Sequence, residues 1–232
     1  MFKQLGKIED YAKTNEMIIN QKKTKLMIFN PCISKDFMPE FTLGENDLEV
    51  VEEMRLLGII IRSDMKWHSN TENMVTKCNK KLWMLRRLKN LGAENDDLVD
   101  IYTKQIRSVL ELAVPAWHGA ITQAERLDIE RVQKCALYII LGDAYGSYKQ
   151  ALKYLNLDNL EARRDKLCLK FVKKAEVHEK HSKWFKLNSN PVNTRQDKYK
   201  YCDVQYSHTR FKNSPLSFLT RLLNEHYSKT KK

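Results

Sequence analysis

Two places in the chain put side chains of the right type at a spacing that permits chemistry. His178 and His181 stand three apart in a segment with helical periodicity, and two imidazoles so placed on one helix face can share a metal ion. A solvated pair on a helix surface is the plainer expectation. Asp96 and Asp97 are adjacent carboxylates at a predicted helix start, where acids favour the positive end of the helix dipole, so they read as a cap and not as a metal site. The chain contains no G-x-x-x-x-G-K, G-x-G-x-x-G, H-E-x-x-H or G-x-S-x-G, so no catalytic constellation is legible.

The stronger signal is charge. Lys and Arg number 41 against 29 Asp and Glu, a formal net charge of +12, which points to a polyanionic partner. Up to Leu160 the signs nearly balance, 23 basic against 22 acidic; from Glu161 onward they stand at 18 against 7. A local concentration lies between Met65 and Asn90, with seven bases and the single acid Glu72. There Lys77, Lys80, Lys81 and Arg87 form a strip that can track a phosphate backbone, each contact releasing a counterion, or else the wet face of an amphipathic helix. The stretch RQDKYKYCDVQYSHTRFK alternates bases with Tyr199, Tyr201, Tyr206 and Phe211. That mixture suits base stacking on a single strand, or a loop packed on its own domain.

These residues need a scaffold, and the periodicity describes one. Phe2, Leu5, Ile8 and Ala12 recur at helical spacing. Met17–Ile19 and Leu26–Phe29 read as two strands joined by NQKK, Phe41–Leu43 and Leu48–Val51 as a second hairpin around GEND, and Met54–Ile61 as one further strand. Pro31 and Pro39 bracket a loop. From about Asn70 the pattern turns helical, with Met74, Cys78, Leu82, Leu85 and Leu88 on one stripe and Gly92 as terminator. A second helix runs from Asp96 toward Leu112, before Pro115. A third opens on the capping-box pair Thr122 and Glu125 and ends at Gly142; a fourth opens on Ser147 with Gln150; a fifth starts near Asp158 and continues through Lys180. Asn188–Asn213 shows no period, and Ser214–Pro215 opens a last short helix.

The expected fold is therefore α+β: a small β-hairpin layer over residues 1–68, a mainly α-helical domain over 69–187, and a basic, aromatic-containing tail over 188–232. With 42% hydrophobic residues, 7 glycines and 5 prolines in 232 residues, the chain is a folded protein with long helices and few loops. The five cysteines (32, 78, 135, 168, 202) are scattered singly, which fits a reducing compartment, nucleus or cytoplasm, better than a disulfide framework. No apolar run reaches the length of a membrane span.

The order of these elements resembles a known family. NEMIINQKKTKLMIF followed by LLGIIIRSDMKW is similar to the last palm segments of reverse transcriptases encoded by non-LTR (LINE-type) retrotransposons. LVDIYTKQIRSVLELAVPAWHGAITQAERLDIERVQKCALYIILG and YGSYKQALKYLNLDNLEARRDKLCLKF resemble the helical region that follows, and SPLSFLTRLLN its closing segment. The resemblance implies a palm edge with a primer-grip-like hairpin built by Leu57, Gly58, Ile59 and Trp67, then a thumb-like helical domain. It implies that Lys23, in the N-x-x-K-T turn, lies near the incoming triphosphate, as a proton donor to pyrophosphate or a phosphate contact. Nucleic-acid contacts would come from Lys23, Leu57, Gly58, Ile59, Trp67, Lys77, Lys80, Lys81 and Arg87. The family polymerises with Mg2+ held by an aspartate strand and an F/Y-x-D-D turn, both expected to precede Met1; no F/Y-x-D-D occurs here. The implied reading is a truncated RNA-directed DNA polymerase, inactive alone and without a cofactor in this chain. Its partners would be an RNA/DNA hybrid or duplex and the missing palm and fingers or another protein. The alternative is a domesticated, non-enzymatic helical protein-interaction module.

Overall fold

The computed structural model describes residues 2–29, 42–43, 46–188, 200–202 and 209–230. Met1–Lys66 and Trp67–Lys232 form two compact units. The first holds α1 (Phe2–Thr14) and three two-stranded ribbons. Asn20 Oδ1 accepts the Lys23 N–H at 3.1 Å and closes a single 3-10 turn, Gln21–Lys23. The expected hairpin across NQKK is therefore absent. Instead β1 (Lys25–Leu26) pairs in parallel with β4 (Glu49–Val50), and a Lys25–Glu49 ion pair flanks that register. Thr42–Leu43 (β2) and Asn46–Asp47 (β3) pair antiparallel, so part of the second expected hairpin forms, while Leu48–Val51 takes a different partner. Phe41, Pro31, Pro39, Gly44 and Glu45 lie outside the described residues.

Met54–Ile61 is not one strand. β5 (Glu53–Leu56) turns back on β6 (Ile59–Arg62) through Leu57 and Gly58, with Leu56 opposite Ile59 and Glu53 opposite Arg62. Both turn residues have positive φ, +48° and +96°, the backbone of a type I′ turn whose twist matches that of the flanking strands. Glycine adopts that conformation freely, whereas leucine pays roughly 1–2 kcal/mol for it. Beyond the hairpin, Asp64 accepts hydrogen bonds from the Arg62 guanidinium (3.1 Å) and the Lys66 N–H (3.0 Å). The Arg62 bond leads the effects that hold the Asp64 carboxyl below its usual range.

The second unit is helical. α2 (His68–Asn90) buries Met74, Cys78, Leu82 and Leu85 of the expected stripe and leaves Leu88 half-buried, and Gly92 follows its end at φ +86°. α3 (Asn95–Ile101), with Asp96 and Asp97 in its first turn, runs into a π-helical segment, Tyr102–Arg107, and a last turn α4 (Ser108–Leu110). Pro115 sits in the first turn of α5 (Val114–Trp117), a place where its missing N–H costs nothing.

α6 (Gln123–Leu141) opens on a complete capping box. The Thr122 hydroxyl accepts the Glu125 N–H, and the Glu125 carboxylate accepts the Thr122 N–H at 2.6 Å. Ser147 caps α7 (Tyr148–Tyr154), and Asn159 Oδ1 caps α8 (Leu160–Val177) by accepting the Ala162 N–H at 2.7 Å. α2 and α6 pack along one another, and α8 packs on α5, α6 and the final helix. A buried chain of polar groups ties these together: Tyr102 donates to Gln133, which donates to Tyr148 (2.9 Å) and to the Asp158 carbonyl (2.9 Å).

Two expectations for the carboxyl-terminal third change. α8 ends at Val177, where His178 is extended, so His178 and His181 do not share a helix face. They lie in the following turn, stacked on each other (4.3 Å between centroids) and on Trp184 (4.4 Å from His181). The last helix, α10 (Pro215–Thr230), is sixteen residues and not short, and one helical turn, α9 (Thr209–Lys212), precedes it in a stretch read as irregular.

Tyr201 is pinned rather than displayed. Its N–H donates to Asn224 and its carbonyl accepts from Asn224, both at 3.0 Å, so the side-chain amide substitutes for a strand partner. Its hydroxyl donates to Glu176, as does that of Tyr227 (2.7 Å), and Lys200 completes the cluster at 2.6 Å. Burial alone would raise the Glu176 carboxyl, but these three hydrogen bonds outweigh it and hold the group below its ordinary value. Glu176→Ala should therefore cost about 2–3 kcal/mol at pH 7, mostly from the tyrosine bonds. Lys200, 40% exposed, adds little. A depressed folded pKa gives stability that is present above the unfolded value, about 4.3, and lost below it. Urea titrations of both proteins should show the gap closing as pH falls through that range; a gap independent of pH would contradict the cluster.

Candidate nucleic-acid interface

The amphipathic register that sends Leu82 and Leu85 inward sends Lys80, Trp83 and Arg87 outward at i, i+3 and i+7. Trp83 is 63% exposed, and the Arg87 guanidinium carbon stands 5.7 Å from its ring centroid. The exposed ring lies among cations, with Lys80 and Arg86 on the same helix face as Arg87. An aromatic face beside cations is a combination that can stack a base and contact phosphate.

Arg86 extends this face into a groove of about 580 Å³ along the α2–α6 seam, lined also by Lys89, Lys134, Tyr138 and Tyr145. Tyr138 is 62% exposed, and its ring meets Tyr145 edge-on at 5.4 Å. Basic and aromatic side chains therefore continue from the outer face of α2 onto α6. Asp143 is the acid in that lining.

The sequence-derived contacts divide on this geometry. Lys80 and Arg87 are exposed on the Trp83 face, and Lys77 is half-buried beside it. Lys81 turns away and donates to the Gln105 carbonyl in the π segment at 2.6 Å, so it braces the packing of α2 on that segment. In the first unit Lys23 is exposed at the end of the 3-10 turn, and Leu57, 91% exposed, projects from the hairpin tip beside Gly58. Ile59 is buried, and Trp67, 6% exposed, is a core residue at the head of α2 in the second unit. Of the four residues that the resemblance assigns to a grip, Leu57 is thus the one whose side chain is exposed. Trp83, Arg86 and Tyr138 were not singled out by sequence reasoning. The available signal was Trp83 itself, an aromatic at a polar register position between Lys80–Lys81 and Arg86–Arg87.

Tyr201 is excluded as a stacking platform by its burial, and Phe211 is exposed. Tyr199 and Tyr206 lie outside the described residues. Burial pushes the Cys78 and Cys168 thiols up to about 12, which makes both inert packing groups. Two-metal phosphoryl transfer needs converging carboxylates. Among the described residues no cluster of three or more His, Cys, Asp and Glu side chains is arranged to hold a metal. Among the same residues no helix is long and apolar enough to cross a membrane. No protein-family model, no curated protein and no solved structure matches the chain.

Proposed function

We propose that the chain binds double-stranded nucleic acid or an RNA/DNA hybrid across α2 and the α2–α6 groove. In this reading it is the carboxyl-terminal palm edge and thumb of a LINE-type reverse transcriptase. It holds template and primer without extending them, because the F/Y-x-D-D carboxylates are absent from its sequence. The observation that carries the reading is Trp83, exposed and flanked by Lys80, Arg86 and Arg87 on one helix face. The Leu57–Gly58 turn supports it from the first unit: a leucine held at positive φ and left in solvent serves neither packing nor turn stability, the kind of strain found where a chain meets a ligand.

Neutralising three to five phosphates predicts a log K against log salt slope of about −3 to −4.5 on duplex DNA. Anisotropy titrations of a labelled hybrid between 50 and 300 mM salt, roughly the range over which phosphate contacts are resolved, measure it. A flat response contradicts the reading, and so does templated nucleotide incorporation by the purified polypeptide. A protein-interaction module is the second reading. Ile8, Tyr11, Ile18 and Leu57, all exposed in the first unit, favour it, and salt-insensitive binding with concentration-dependent association would select it.

A further inference from the structure

Arg164, in the second turn of α8, is fully buried. Its Nε donates to His118 Nδ1 at 3.1 Å, and its guanidinium carbon lies 6.0 Å from the Trp117 ring centroid. Its two terminal nitrogens, Nη1 and Nη2, are buried with no hydrogen-bond partner among the described residues. A buried guanidinium is a costly group to leave half-satisfied.

The neighbours are already engaged. A guanidinium has no acceptor, so His118 must accept at Nδ1 and carry its proton on Nε2, which it donates to Asp165 at 3.0 Å. Burial holds that imidazole below its usual pKa, hence neutral. Arg126 donates to the His118 carbonyl (2.9 Å) and to Glu161 (3.0 Å). Glu130 accepts from the Tyr148 hydroxyl and from the Leu160 N–H at 3.1 Å. None of these acids hydrogen-bonds Arg164.

Arg164 contributes to the wall of a pocket of about 220 Å³ at the head of α8, together with the cations Arg126 and Lys134 and the acids Glu130 and Glu161, of which Glu161 is paired with Arg126 and Glu130 is held by Tyr148 and the Leu160 N–H. The pocket is smaller than those that take organic ligands, about 300–1,000 Å³. The Leu160 and Ala162 N–H groups at the head of α8 are already taken by Glu130 and Asn159, so the donors left for an anion are side chains. Lys134 reaches over the Tyr148 ring, its Nζ 5.3 Å from the centroid, on the same side.

We propose that this pocket is an oxyanion site that takes a phosphate group, with Arg164 and Lys134 as its cationic partners. Phosphate carries enough charge and enough acceptor oxygens to face a planar guanidinium and an ammonium at once. The phosphate is either the free ion or the 5′-terminal monoester of a strand. The site shares Lys134 with the α2–α6 groove proposed above, while Arg164 belongs to this pocket alone, so the Arg164→Met arm of the test separates the two readings.

The test is the full chain titrated with sodium phosphate against sodium chloride at equal ionic strength, followed by melting temperature and by the arginine Hε–Nε resonances. Phosphate should raise the melting temperature saturably where chloride does not, and should shift the Arg164 resonance. Lys134→Ala, at an exposed position, should weaken phosphate about tenfold, and Arg164→Met should abolish the response. Competition by a 5′-phosphorylated but not a 5′-hydroxyl oligonucleotide assigns the site to a strand end; competition by neither assigns it to the free ion. Equal curves in phosphate and chloride overturn the proposal. An unchanged phosphate affinity in Lys134→Ala overturns it as well, even if Arg164→Met fails to fold.

Discussion

Replacing Lys80, Arg86 and Arg87 together by glutamine should lower affinity for a hybrid duplex about 100-fold near 0.1 M salt. It should also flatten the salt dependence by nearly three units, about 0.9 for each lost phosphate contact. All three side chains are exposed on the wet side of α2, whose apolar stripe is untouched, so the fold and its melting temperature should survive. Trp83→Ala should behave differently. Losing a stacked base costs about 1–3 kcal/mol and leaves the salt slope unchanged, because no cation is removed. The two variants therefore separate the electrostatic part of binding from the stacking part. If the triple variant loses affinity at an unchanged slope, the three cations do not contact phosphate and the assignment of α2 fails.

The second large effect concerns stability. A Cβ added at Gly119 would stand 2.5 Å from Phe218 Cγ and 2.6 Å from Phe218 Cβ. The second of these atoms is fixed to the α10 backbone, so a side-chain rotation cannot relieve the overlap. Phe218 also packs edge-on against His118, at 5.6 Å, which limits its movement in that direction. Gly119→Ala should cost about 3 kcal/mol, the upper part of the overpacking range, and lower the melting temperature by about 6–12 °C. Hydrogen-exchange protection in α10 should fall first. Adding Phe218→Ala should recover part of the loss, so that the double variant is less damaged than the sum of the singles. A Gly119→Ala protein melting within a degree or two of the parent would show that α10 does not seat against this glycine.

What the sequence discloses and what it conceals follow from the range of each interaction. Thr122 with Glu125 and Ser147 with Gln150 are legible because cap and partner lie three residues apart, and the start of α8, read near Asp158, falls one residue later with Asn159 as the cap. The α2 stripe is legible because one helix period carries it. The β5–β6 hairpin is not: its turn is Leu-Gly instead of Asn-Gly, and an apolar run with no polar break reads as one strand. The β1–β4 pairing is parallel and joins segments more than twenty residues apart, which no local pattern encodes. α8 stops at Val177 without a glycine or proline to mark the end, so the two histidines looked helical.

The candidate site divides along the same line. The charge on α2 is a matter of composition and can be counted. That Lys81 is withdrawn to a π-segment carbonyl, and that Trp67 is core, depends on packing between elements distant in sequence. The half-satisfied Arg164 is the extreme case, since its one partner, His118, comes from a helix turn 46 residues earlier.

The most direct test is a hydrogen-exchange and cross-linking footprint of the complex with a hybrid duplex, since it asks where the nucleic acid sits rather than how tightly. Protection and cross-links should fall on residues 79–90 of α2 and 134–138 of α6, with Trp83 the strongest cross-link. Protection confined to the basic tail beyond residue 188, or none anywhere, would show that this face is not where the strand is held.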